Sequence, residues 1–147
     1  MLYLGADHAG FYQKQALKRA FLKQKIALRD MGTDSAAPVD YPLIVESVVK
    51  KMKHSVDRAI ILCGSGEGVV IAANKFKGIR AALCWDEKVA KESRQDNDSN
   101  VLALPARHIS DAHAIAIARV WLASAFTKAE RHTRRIAEIT ELERRAR

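Results

Sequence analysis

Apolar residues in this chain fall into short runs, separated by longer stretches in which they recur every three or four positions. Leu2-Tyr3-Leu4-Gly5 opens the chain and predicts a strand. Over residues 10 to about 25, Leu17, Ala20, Phe21 and Gln24 share helical spacing with lysines between them, which predicts a helix. Residues 26–29 read as a second strand. Pro38 and Pro42 then frame an irregular stretch, and Ile44, Val45, Val48, Val49 and Met52 mark an amphipathic helix over 43–52. Ala59-Ile60-Ile61-Leu62 predicts a buried strand, followed by a glycine loop and a helix reaching about residue 76. A strand over 79–84 and a helix capped by Asp86 and running to about 95 come next. A strand over 101–104 stopped by Pro105 and a helix capped by Ser110 continue the alternation. Ile136, Ile139 and Leu142, set among charges, mark a long polar C-terminal helix.

Strands alternating with helices of this length call for βαβ units with right-handed crossovers. The expected fold is α/β: a three-layer α/β/α sandwich around a mostly parallel, Rossmann-like sheet, with an extra C-terminal helix. The 147 residues suffice for one domain over 1–147, with no repeat, linker or low-complexity segment. In such sheets the ligand sits outside the carboxyl ends of the strands, near a topological switch point. Asp7-His8, Cys63 and residues 97–100 all lie at or near predicted strand ends. The C-terminal helix carries few apolar positions for its charge, so packing on a partner subunit is expected of it.

Composition narrows the class. At 48% hydrophobic and 29% charged, the chain is globular rather than disordered. No apolar run approaches the roughly 20 residues of a membrane span. Nothing at the N-terminus resembles an export signal, so a cytoplasmic protein without a membrane partner is expected. Cys63 and Cys84 are too few for a disulfide framework. His8, His54, His108, His113 and His132 are scattered, and neither a metal nor a cofactor is expected. The net charge of +8 fits nucleic-acid binding or attraction of small anions. The basic residues are spread widely, without an aromatic-rich basic face or recognition-helix pattern, so no nucleic acid is expected.

The densest chemistry surrounds Cys63-Gly64-Ser65-Gly66-Glu67-Gly68. Glycines at 64, 66 and 68 let the backbone take positive φ and let a ligand approach the amides. Such a loop opening a helix binds phosphate, or is simply a tight turn that needs small residues. It lacks the Lys-Ser/Thr of a Walker sequence and is not GxGxxG. Cys63 reads as a small buried hydrophobe or as a reactive thiol, since loop amides at a helix start stabilise a thiolate. His8 suits either a sugar or phosphate contact or a helix cap. The polar run at 94–100 reads as a solvated turn. Arg131 and Arg135, at i and i+4, form either a phosphate clamp or ion pairs with glutamates of their own helix.

Together these segments resemble a known family. Asp7-His8-Ala9-Gly10, Asp40-Tyr41-Pro42, Cys63-Gly64-Ser65-Gly66, Ile71-Ala72-Ala73-Asn74-Lys75, Gly78-Ile79-Arg80-Ala81-Ala82, Asn97-Asp98-Ser99-Asn100-Val101-Leu102-Ala103 and Arg131-His132 stand in the order of the type B ribose-5-phosphate isomerases. Their superfamily includes the subunits of galactose-6-phosphate isomerase. The resemblance implies a metal-free aldose–ketose isomerase of the pentose phosphate pathway, acting on a sugar phosphate through a cis-enediolate. It implies Cys63 as the base, with the amides of Gly64, Gly66, Glu67 and Gly68 and the Ser65 hydroxyl as the anion hole. Asp7, His8 and Asn97 match contacts to sugar and phosphate, and Arg107, Arg131 and Arg135 match the phosphate pocket. Family members are homodimers, sometimes tetramers, with each site built from two subunits.

Two positions depart from the pattern. The family commonly has a histidine, credited with ring opening, where this chain has Asp96. An ordinary carboxyl, with a pKa of about 4, is a weak proton donor at neutral pH, so either Asp96 has a raised pKa, or Asp7 or His8 takes the catalytic role, or the preferred substrate differs. Glu67 brings a negative charge into the anion-hole loop. A branch of the family uses a glutamate base at the position of Val69, which cannot act as one, so Cys63 is retained. These departures keep two alternatives open: an isomerase of allose or galactose 6-phosphate, and a non-catalytic sugar-phosphate or nucleic-acid binding protein on the same scaffold.

Overall fold

The structure is a computed structural model that describes residues 1–53 and 55–146. His54, one of the scattered histidines, lies outside the described residues. Along the chain run β1 (Leu2–Ala6), α1 (Phe11–Lys23), β2 (Leu28–Asp30), α2 (Tyr41–Lys51), β3 (Arg58–Cys63) and α3 (Glu67–Ala73). Then come β4 (Ala81–Leu83), α4 (Glu87–Asn97), β5 (Val101–Pro105), α5 (Asp111–Ala123) and α6 (Glu130–Arg145). All strand pairs are parallel, in the order β2-β1-β3-β5-β4. The sheet is therefore wholly parallel, where the sequence pattern predicts a mostly parallel one.

Alternation along the strands divides the core. Leu2, Leu4, Ile60, Leu62, Leu102 and Leu104 pack with α1, α4 and α5 on one face. Tyr3, Ala59, Ile61, Cys63, Val101 and Ala103 pack with α2 and α3 on the other. Helices covering both faces leave β1, β5 and all of β3 after Arg58 buried, which explains their apolar runs. Leaving β1, the chain moves outward to β2 and returns on the opposite side of β1 as β3. The switch point thus lies between β1 and β3, and their carboxyl ends carry Asp7 and Cys63.

Boundary differences have local causes. Residue 26 does not start β2, because its amide closes the end of α1 on the Phe21 carbonyl at 3.0 Å. Lys25 adopts φ +58 there, completing a left-handed helix cap. Helix α2 begins at Tyr41 rather than 43, since Pro42 suits a first helical turn. Asp86 and Ser110 cap their helices as expected, accepting from the Val89 amide at 2.7 Å and the His113 amide at 3.2 Å. Among the described residues no helix is long and apolar enough to cross a membrane.

Candidate active site

At the end of β3 the chain turns from Cys63 into α3 through Gly64, Ser65 and Gly66. The Gly66 amide donates to Cys63 Sγ at 3.1 Å, which orients the sulfur and places a donor against it. Gly66 takes φ +78, and a Cβ there would meet Leu83 Cδ1 at 2.4 Å. Only Gly66 of the three loop glycines uses positive φ; Gly64 and Gly68 instead permit close approach, of Arg107 and Tyr41 respectively. The Glu67 amide is taken by Ser65 Oγ at 3.3 Å. The amides of Ser65 and Gly68 have no partner among the described residues. Unbonded amides aimed from one turn are a built receptor for a negatively charged oxygen.

These groups open on a cleft of about 480 Å³. Asp7, Arg107 and Glu67 bring charge to it, and Tyr41, Ile71 and His108 complete its walls. Asp7 is buried, and its Oδ1 accepts from the Ala9 and Gly10 amides at 2.9 and 3.1 Å, so the carboxylate also shapes the entry to α1. The Asp7 amide donates to the Leu62 carbonyl at 3.1 Å, which ties β1 to β3 beside Cys63. His8 is half-buried, with Nδ1 accepting from the Val39 amide at 3.4 Å; the ring braces the loop before α2. Arg107 lies against Gly64 and makes no side-chain hydrogen bond or ion pair among the described residues. Sequence reasoning missed Tyr41, Ile71 and His108 as cleft residues. Tyr41 and Ile71 stood in quoted motifs without a site role, and His108 carries no local signal.

Asp96, Asn97, Arg131 and Arg135 stand elsewhere. Asp96 and Asn97 end α4, just before β5 begins, and so lie at the amino edge of the sheet. Arg58, the first residue of β3, approaches Asp98 at 3.9 Å and marks the same edge. Cys63 is five residues further along β3, roughly 16 Å at about 3.3 Å per residue. Asn97 is exposed, and its side-chain amide has no partner among the described residues. Asp96 Oδ1 lies 3.4 Å from Nε2 of His132, the one buried residue of α6. Arg131 and Arg135 are exposed and unpaired among the described residues, whereas Arg134, Arg144 and Arg145 pair with glutamates of α6. The ion-pair reading of α6 therefore holds for its other arginines and not for these two. The expected site residues thus form two groups on opposite edges, which one small ligand does not bridge within one chain.

Cys63, though only 4% exposed, borders the cleft, and Cys84 does not. Cys84 is fully buried on the other face of the sheet, and burial pushes its thiol up to about 11. No cluster of three or more His, Cys, Asp or Glu placed to hold a metal occurs among the described residues.

A thiol with a backbone donor, unbonded amides and an unpaired guanidinium at a parallel-sheet switch point equip a cleft for moving protons on an anionic substrate. The class of protein, a sugar isomerase, is given by the relatives of the chain. A family model described as Ribose/Galactose Isomerase matches residues 2–139, and the chain belongs to that family. It is 38% identical to ribose-5-phosphate isomerase B of Escherichia coli over 142 residues, covering 96% of this chain and 95% of that protein. The fold superposes on the type B enzyme of Clostridium thermocellum with TM-score 0.95, at 37% identity and 99% coverage of both chains. It also matches ribose-5-phosphate isomerase B of Mycoplasma genitalium with bound ribulose-5-phosphate, with TM-score 0.91 and 35% identity, over 97% and 95% of the two chains.

Proposed function

We propose that this chain interconverts ribose 5-phosphate and ribulose 5-phosphate, with Cys63 as the base. The observation that carries the reading is the Cys63 sulfur held by the Gly66 amide beside the unbonded amides of Ser65 and Gly68. The thiolate takes the C2 proton of the open-chain aldose. The C2–H electron pair forms the C1–C2 double bond, and the carbonyl pair moves onto O1. The resulting cis-enediolate oxygens face the loop amides and the Ser65 hydroxyl. The sulfur then returns the proton to C1 while the O2 proton passes to O1, so that C2 becomes the ketone carbonyl and O1 the C1 hydroxyl. Only protons and electron pairs internal to the substrate move, so the scheme needs no cofactor.

The phosphate falls to Arg107 in the cleft and to Arg131 and Arg135 of the partner subunit. Asp96 and Asn97 of the partner subunit complete the sugar site, with Asp96 at ring opening. The separation of the two residue groups supports a shared site. A two-fold dimer supplies every cleft with the turn of the other copy, making two complete sites. Ile139 and Leu142 on α6, 42% and 63% exposed, supply apolar surface for such packing.

The test is proton NMR of the purified protein with ribose 5-phosphate in deuterium oxide, with allose and galactose 6-phosphates in parallel. Ribulose 5-phosphate bearing solvent deuterium at C1, and the highest kcat/KM for the pentose, are expected. No interconversion of any of the three rejects the enzyme reading. A higher kcat/KM for a hexose moves the assignment to the six-carbon isomerases.

A further inference from the structure

The turn that ends α4 is held more tightly than a solvated turn requires. Asp98 adopts φ +45 as the C-cap, a left-handed conformation that few residues other than glycine take up. Arg80 grips the turn from the start of β4: Nε donates to the Asn97 and Asp98 carbonyls at 2.9 and 3.1 Å. Its Nη2 donates to the Asp98 carbonyl at 2.8 Å and to Asp98 Oδ2 at 2.9 Å. From inside, the buried Arg94 donates from Nη1 to Asp98 Oδ1 and to the Ser99 carbonyl, both at 2.6 Å. The side chains projecting from this turn are treated differently. Asn97 bonds to nothing among the described residues, and Asp96 meets only His132.

A backbone fixed by two guanidinia, presenting an unpaired amide to solvent, is preorganised for a ligand that its own chain does not hold. We propose that Arg80 is a positioning residue acting in trans: it fixes the turn that offers Asp96 and Asn97 to the cleft of the partner subunit. The inference rests on the shared-site reading above. A planar fork serving two carbonyls and a carboxylate suits arginine, and lysine does not reproduce it. His132 ties Asp96 to the first turn of α6, so the turn and the Arg131/Arg135 face form one preassembled half-site.

The experiment co-expresses C63A and R80Q chains under two different affinity tags and purifies the mixed dimer. The R80Q homodimer is expected to lose roughly 30- to 100-fold in kcat/KM, the scale of an ångström-sized displacement of a contact group. The mixed dimer joins the intact Cys63 of one chain to the intact Arg80 turn of the other at one of its two sites. It is therefore expected to recover about half of wild-type turnover. A C63A/R131A mixed dimer tests the shared site itself. Recovery there without recovery in C63A/R80Q overturns the inference alone and assigns Arg80 to the fold of its own cleft. No recovery in either pair overturns the shared site and the inference with it. An R80Q homodimer as active as wild type also overturns it. Should R80Q fail to fold, R80K, which keeps the charge but loses the fork, is read in the same way.

Discussion

At the carboxyl edge of the sheet the amides of Ser65 and Gly68 and the Arg107 guanidinium have no partner among the described residues. At the amino edge the turn at 97–99 has its carbonyls and its carboxylate bonded by Arg80 and Arg94. The polar groups of the two edges are in opposite states. Donors that face an open cleft can exchange water for an incoming anion. Satisfied donors and acceptors behind two outward side chains make a rigid presenting surface. The cleft has donors available to a negative charge, and under the proposed shared site the turn is the surface that a partner's cleft would receive.

Removing the sulfur breaks the comparison most severely. C63A leaves the amides and Arg107 in place, so binding of ribose 5-phosphate should survive while kcat falls by about 10²- to 10⁴-fold. Isothermal calorimetry beside a turnover assay separates the two effects. Wild-type turnover in C63A would remove Cys63 as the base and leave Glu67, the remaining unpaired carboxylate of the cleft, to be tested. Iodoacetamide offers a chemical version: one adduct, at Cys63, with Cys84 protected by burial and by its raised thiol pKa of about 11. An adduct first at Cys84 would contradict the contrast between the two thiols.

Gly66 comes next, because the cleft depends on one backbone conformation. G66A must hold φ near +78 with its Cβ pressed on Leu83 Cδ1. The expected cost is about 1–3 kcal/mol of stability, or roughly 3–10 °C in Tm, together with loss of the Cys63 hydrogen bond geometry. A melting curve unchanged from wild type would mean that the loop relaxes freely. The cleft would then lack the rigidity that distinguishes both edges from ordinary loops.

How much of this was legible in sequence differs between the edges. Cys63, the glycines and Asp7 announce themselves because strand ends and small residues leave a one-dimensional pattern. The α/β alternation is equally plain, since each buried strand is an unbroken apolar run. The amino edge left no such trace. The run at 94–100 has the composition of a solvated turn, and its rigidity comes from Arg80, 18 residues before Asp98 in sequence. Only pairing of β4 with β5 brings them together. Spacing on α6 likewise offered two readings of Arg131 and Arg135, and only the pairing of the neighbouring arginines separates them. Nor could spacing reveal that Asp96 and Asn97 stand a full strand away from Cys63, because both ends of a strand look alike in sequence.

The smallest predicted effect concerns the carboxylate that holds each side. Asp98 is shared by guanidinia, whereas Asp30, at the end of β2, is shared by Lys14 and Lys18. Lys14 is fully buried and also donates to the Thr33 carbonyl at 2.9 Å, so this cluster anchors the loop that leads to Tyr41. Burial pushes the Asp30 carboxyl up, but hydrogen bonds from Lys14, Lys18 and the Gly32 amide outweigh it and hold the pKa below the usual carboxylate value. A folded-state pKa below the unfolded one means that the unfolded chain binds the proton more readily. Asp30 therefore stabilises the fold fully above about pH 4, and that contribution is lost as pH falls through the lower folded value. D30N lacks it at every pH and leaves Lys14 a buried cation without its partner. Its Tm should lie below wild type at pH 7, and the gap should close below about pH 4. Asp57, also held low by the Lys53 amide and the N-terminal ammonium, titrates in both proteins and cancels from the difference. Parallel Tm curves from pH 7 to pH 3 would show that the fold does not depend on this carboxylate.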